Sequence, residues 1–377
     1  MLRAETLRQS GPIGWLIPLL LILSVPAIAA DNDTVLKPGH EERVERGLSW
    51  LAARQVTEGP DRGSWIADVG FKLNDNYRVT QDKSGHVGVT SLACMAFMAG
   101  GHLPGRGKYG DVVEEGLQYV LRAVSDEDGY VTDNGTRMYS HAFATLFLAE
   151  IYGMTKRADV RAKLQLAIDL IVRSQNESGS WRYLPMAKDS DMSITVCQVM
   201  ALRAARNIGI KVPRTTIDRA IEYVKNSAVR EDQYSRYNFG RGRNEKGSFK
   251  YQLKEGARSS FPLTAAGITT LYGAGIYSDA DIDAGLQYLR TNYDDLIDFY
   301  RYHYFFYYGN YYAVQATYIA GGKAWTWYWN RITDDLFQNQ QPDGNWKNNV
   351  GPGDSFATAV ACLILQIPYG YLPIFQR

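Results

Sequence analysis

The sequence predicts an all-α protein, an (α/α)6 toroid in which six outer and six inner helices alternate around a closed ring. Three observations carry this expectation. A short phrase, a Gln followed by a Gly and then an aromatic residue, recurs at intervals of tens of residues down the chain. The segment before each phrase is amphipathic at helical spacing, so it has one wet face. The segment after each phrase is apolar nearly all round, so its helix must be covered on every side.

Taken in order, the chain opens on a leader. Arg3 and Arg8 are basic, 15–29 is an apolar run broken only by Pro18, Ser24 and Pro26, and Ala27-Ile28-Ala29 has small residues where cleavage would fall. A signal peptide over 1–29 is expected, leaving 30–377 as one domain that is secreted or periplasmic. The uncharged run 10–30 also approaches the length of a membrane anchor, and both roles stay open. The phrases then follow. Gln55 precedes Gly63-Ser64-Trp65, Gln118 precedes Gly129-Tyr130, Gln175 precedes Gly179-Ser180-Trp181, and Gln340 precedes Gly344-Asn345-Trp346. Asn226 with Gly247-Ser248-Phe249 is a degenerate copy carrying a long insertion. Gln287 starts another, whose second half is the aromatic run 300–312.

Leu117, Val120, Leu121 and Val124 show the spacing of the outer helices, as do Leu164, Ala167, Ile168 and Ile171, and Ile217, Ala220, Ile221 and Val224. The inner helices are read over 89–99, 142–151, 194–205, 264–274, 313–320 and 356–367. An open solenoid needs polar end caps, yet the terminal pairs are as apolar as the middle ones, so the ring closes. Strand signals are weak. In each phrase the Gly permits a tight turn, the ring fills the groove between helix pairs, and the Gln amide satisfies backbone groups at helix ends.

Composition narrows function. With 45% hydrophobic and 21% charged residues over 377 positions, disordered, collagen-like and coiled-coil classes are excluded. Forty-one Lys and Arg against 40 Asp and Glu leave a formal charge of +1, with no broad electrostatic reason to bind nucleic acid. Three cysteines make neither a disulfide framework nor a zinc module, and no glycine-rich phosphate loop appears, so no metal and no cofactor is expected.

The Gln...Gly-x-Trp phrases resemble the QW repeats of squalene and terpene cyclases, and 40–377 resembles a prenyltransferase/squalene-oxidase repeat protein. The resemblance implies the toroid. Asp189-Ser190-Asp191-Met192-Ser193-Ile194 resembles the cyclase acid motif, with Met192 in place of its third acid. It implies Asp191 as proton donor and Asp189 as its supporting partner, whereas the position also suits an N-cap for the third inner helix. The chain has residues for one toroid where such cyclases have two. The prenyltransferase branch implies a zinc site, but no cysteine follows Asp354 by two residues and no histidine lies beyond it.

His141 and His86 precede inner helices and face either the mouth of a central cavity or structural partners. Tyr302, Tyr304, Tyr307 and Tyr311, with His303 among them, form either a ligand-contacting cavity mouth or a tyrosine wedge replacing the missing phrase. The leading expectation is an exported cyclase-like toroid that binds an extended, apolar, isoprenoid-like ligand in an aromatic cavity, with peripheral contact to a membrane. The alternatives are a polysaccharide lyase or glycosidase acting on a glycan, and a non-catalytic partner-binding scaffold.

Overall fold

The computed structural model describes residues 34–73, 76–234 and 243–376, so the leader over 1–29 lies outside the described residues. The chain begins with helix α1 (His40–Ala52), strands β1 (Ile66–Leu73) and β2 (Asn76–Gly85), and helices α2 (Val87–Ala99), α3 (Gly110–Arg122), α4 (Met138–Thr155) and α5 (Ala158–Arg173). It continues through α6 (Met192–Asn207), α7 (Arg214–Ser227), the two-residue strands β3 (Gln233–Tyr234) and β4 (Arg243–Asn244), α8 (Phe261–Gly273) and α9 (Ala280–Thr291). Helices α10 (Tyr293–Tyr300), α11 (Tyr304–Ala320), α12 (Gly322–Asn339) and α13 (Asp354–Gln366) complete it.

The inner ring is α2, α4, α6, α8, α11 and α13. Each packs on the next, and α13 packs on α2, which closes the circle. Every residue of α2 is buried, as a helix covered on all sides requires. The outer helices bury one stripe only, illustrated by Thr216, Ile217, Ala220, Tyr223, Val224 and Ser227 of α7.

The recurring phrases are the joints of this ring. The indole N–H groups of Trp65, Trp181 and Trp346 donate to the carbonyls of Leu51, Ile171 and Leu336, each at 2.8 Å, tying the loop to the end of the outer helix before it. The Gln amide links that loop to the next outer helix: Gln55 donates to the carbonyls of Gly63 and Val112, and Gln175 to those of Gly179 and Thr216. Gln340 donates to the carbonyls of Gly344 and Arg43, so the last repeat grips the first helix by the same bond. Gly344 has φ +102°, and a Cβ there would lie 2.6 Å from the Arg46 carbonyl oxygen. The degenerate copy keeps the joint, since Gly247 has φ +87° and meets the Ala284 carbonyl, while Phe249 is fully buried.

Two elements depart from the expected pattern. The antiparallel hairpin of β1 and β2, with register irregularities around Val69, appears where strand signals are weak. The aromatic run divides, with Tyr300 ending the additional helix α10 and Tyr304 opening α11. Cys94, Cys197 and Cys362 are buried within α2, α6 and α13.

Candidate functional site

All six inner helices direct their N-terminal turns at one chamber. Val89, Tyr139, Ser193, Leu263, Phe305 and Phe356, one from each, line it, and Val69, Phe71, Lys72 and Tyr77 of the hairpin form another wall. Its interior of about 140 Å³ matches cavities that accept a single benzene-sized ring. Beyond Phe71, Lys72, Arg137, Tyr183, Tyr251 and Arg258 lies a vestibule of about 450 Å³, which adds Arg182, Gln252, Lys254 and Ala257 to its lining. No Asp or Glu is among the described residues lining either space.

Asp191 lies sealed behind this wall, fully buried as the N-cap of α6. Its Oδ1 accepts the backbone N–H of Ser193 at 2.8 Å and of Ile194 at 3.3 Å, which is the capping role. The carboxylate also ends two chains of donors that begin in the chamber. Tyr139 donates to Ser193 Oγ at 2.6 Å, and Ser193 donates to Asp191 Oδ1 at 2.5 Å. Tyr183 donates to the Tyr251 oxygen at 2.7 Å, and Tyr251 donates to Asp191 Oδ2 at 2.5 Å. The direction of donation follows because Asp191, with all its neighbours donating, is the acceptor of the network. Arg182 completes it, with one guanidinium nitrogen 3.1 Å from the Tyr251 oxygen and 3.6 Å from Asp191 Oδ2.

Burial raises the Asp191 carboxyl above its ordinary value, opposed by hydrogen bonds from Ser193 and Tyr251 and by the Arg182 charge. Burial, and then the Asp191 charge, push the Tyr183 phenol up to about 12 and hold Tyr139 and Tyr251 well above the usual range. Tyr139, Tyr183 and Tyr251 are therefore neutral phenols whose protons are committed to the chains ending on Asp191, which leaves their oxygens as acceptors.

The other sequence candidates are dispersed. Asp189 is exposed; its carboxylate accepts the Gln252 amide and faces Arg182 at 3.7 Å, without touching Asp191. Tyr304 lines the chamber, and so does Tyr308. Tyr307 is buried with its hydroxyl on the Lys347 carbonyl, Tyr311 is buried against Phe143 and Phe375, and Tyr302 is half-exposed with its hydroxyl toward Asn339. His303 caps α11 by accepting the Phe305 N–H and stacks on Tyr304. His141 is fully buried, accepts the Val131 N–H, and is held by burial at about 3, so it is neutral. His86 does line the chamber, capping α2 through its Nδ1.

Tyr183 and Tyr251 were not among the sequence candidates, yet each stands two residues after a phrase aromatic, Trp181 and Phe249. That shared offset is the signal that marks them.

No protein-family model matches the chain, and no curated protein matches its sequence. Solved structures do. An α-1,6-mannanase of Salegentibacter sp. HEL1_6, in complex with α-1,6-mannotriose, aligns with TM-score 0.62 at 8% identity, over 87% of this chain and 98% of the other. A D-mannose isomerase aligns with TM-score 0.59 at 13% identity over 88% and 97%. Cellobiose 2-epimerase from Spirochaeta thermophila DSM 6192 aligns with TM-score 0.56 at 13% identity over 88% and 98%. At these identities the likeness is one of fold, the (α/α)6 toroid.

Proposed function

We propose that this chain is a carbohydrate-processing toroid, taking one sugar ring into the chamber and the rest of a glycan into the vestibule. The observation that carries this reading is the phenolic wall, in which Tyr139 and Tyr183 reach the chamber and are both anchored through donor chains on Asp191. Aromatic faces with oriented hydroxyls are what a sugar ring needs, since it has apolar faces and a polar edge. The sugar-acting proteins that share the fold support the same direction over the cyclase-like expectation.

In this reading Tyr183 and Tyr139, whose protons are turned toward Tyr251 and Ser193, offer their phenolic oxygens as acceptors to substrate hydroxyls. Asp191 is a positioning residue that fixes their orientation, and Asp189 holds the rim through Gln252. A pair of facing carboxylates, which most glycosidases use, has no counterpart among the described lining residues. The proposed setting is outside the cytoplasm, on the leader pattern over 1–29.

A second reading, the isoprenoid-binding toroid suggested by the QW-like phrases, is favoured by the apolar inner wall of Val89, Leu92, Phe143, Leu263 and Phe356. The small chamber volume weighs against it, because an extended chain would have to lie largely in the basic vestibule. Mass spectrometry of products after incubation with a panel of oligosaccharides, alongside lipid extraction of the purified protein, decides between them. Oligosaccharide turnover that is lost in Tyr183→Phe supports the glycan reading. A co-purified isoprenoid with no glycan turned over overturns it.

A further inference from the structure

The phenolic wall meets only half of what a sugar hydroxyl needs. A hydroxyl that donates to the oxygen of Tyr139 or Tyr183 keeps its own oxygen as an acceptor, and in a half-closed chamber that acceptor is costly unless a donor meets it. Several polar groups of the wall are already engaged: Tyr77 donates to the Asp68 carbonyl at 3.1 Å, Tyr308 donates to the Ser193 carbonyl at 2.9 Å, and Ser260 caps α8. Two lining residues, His86 and Ser140, keep a polar atom in reserve. His86 accepts the Val89 N–H on Nδ1 at 3.3 Å, so its neutral ring carries the proton on Nε2, at the other side of the ring. Burial lowers this imidazole from its ordinary value, opposed by the charges of Asp133 and Asp68, and so favours the neutral ring. Neither the Nε2–H nor the Ser140 hydroxyl has a hydrogen-bond partner among the described residues.

The first turns of α2 and α4 bring the two together. A Cβ on Gly88 would lie 2.6 Å from Ser140 Oγ and 3.0 Å from its Cα, so the helices touch at this point and the glycine leaves room beside the hydroxyl. Tyr139 is the residue before Ser140, and its oxygen is an acceptor. A space of about 140 Å³ holds one ring, so a ring inside it meets the His86 donor, the Ser140 hydroxyl and the Tyr139 oxygen together. An apolar ligand would leave the His86 donor unpaired in a buried setting.

Resting on the glycan reading above, we propose that His86, Ser140 and the Tyr139 oxygen form a specificity site for two adjacent hydroxyls of one sugar ring. One hydroxyl accepts from His86 Nε2 and donates to Tyr139, and its neighbour pairs with Ser140. The substrate class is thus a glycan whose end ring carries a free vicinal diol, and rings substituted at those two positions are excluded.

Titration calorimetry and NMR of the full chain test this with a panel of neutral oligosaccharides built from mannose, glucose or galactose. The tightest binder is expected to shift the His86 Nε2–H signal, identified by its absence from His86→Asn; a histidine that only caps a helix would not respond. Asn at 86 can still cap α2, and Ser140→Ala removes one hydroxyl. With an unchanged fold by circular dichroism, each substitution is expected to weaken that oligosaccharide by about tenfold or more. Monodeoxy analogues of the ring in the chamber are expected to lose affinity at two adjacent positions, and the analogue lacking the hydroxyl held by His86 should bind the unsubstituted protein and His86→Asn alike. Affinity unchanged in either variant, with an oligosaccharide still bound by the unsubstituted protein, overturns the diol site and leaves the glycan reading standing. Binding of no oligosaccharide overturns both.

Discussion

At the scale of single residues, Asp191 illustrates what a sequence conveys and what it withholds. Its place ahead of an apolar helix makes it legible as a cap, and it caps. Its second set of partners comes from Tyr251, sixty residues away in a phrase blurred by an insertion, and nothing local announces that contact. The two roles separate under mutation. Asp191→Asn replaces an acceptor of four donors by a group that turns an amide N–H toward one of them, so it should cost about 2 kcal/mol or more in urea unfolding. Tyr183→Phe removes only the outermost donor of its chain, at a stability cost of about 1 kcal/mol. If the phenolic oxygen orients the substrate, that same substitution should lower glycan turnover by about tenfold or more. Turnover that falls only in proportion to the folded fraction would assign the whole network to structure.

Among the elements, the inner and outer helices were legible because burial on all sides and burial on one stripe leave different periodicities. The hairpin was not. Residues of β2 are exposed over most of its length, so no alternation of apolar and polar residues marks it, and its register comes from pairing with β1 and from packing beside α13. The joints between elements give the sharpest test of the repeat argument. Gly344→Ala forces both a left-handed backbone and a Cβ against the Arg46 carbonyl, whereas Gly59→Ala, at φ +75° with nothing within 4 Å, forces only the backbone. The first should destabilise clearly more than the second, whose cost is about 1 kcal/mol. Equal losses in melting experiments would show that close approach at the joint contributes nothing. Gln340→Leu removes the amide bond that clasps α1 at Arg43 and the one that holds the loop at Gly344, leaving both carbonyls without it, for an expected loss of about 1–3 kcal/mol. Early opening between α12 and α1 should then appear in hydrogen exchange.

For the whole molecule, the ring has two unlike ends. The N-terminal turns of the inner helices surround the chamber, while at the other end the chain's own last residues pack against α4, α6 and α11, with Ile374 and Phe375 buried. Ring closure was legible in the apolar terminal repeats, and we propose on the same ground that 30–377 is one domain, so that limited proteolysis should release no independently folded half. The tail was not legible, because 367–376 lies after the last repeat and its role depends on Glu150 of α4, an acid placed by tertiary contact alone. Glu150 accepts the Ile374 N–H at 3.2 Å in a buried setting. Burial pushes its carboxyl up to about 7, opposed by that hydrogen bond and by the charge of Arg203. An acid raised in the folded state binds its proton more tightly there than in the unfolded chain. Its contribution to stability is therefore complete below the unfolded value of 4.5 and is lost as pH rises through about 7. Across that window the group should withdraw roughly 3 kcal/mol as pH increases. Glu150→Gln keeps an acceptor for Ile374 and has no proton to lose, so the variant should show a flatter dependence of melting temperature on pH between 4.5 and 7. Identical slopes for the two proteins would show that Glu150 is ionised in the fold, with Arg203 compensating the buried charge.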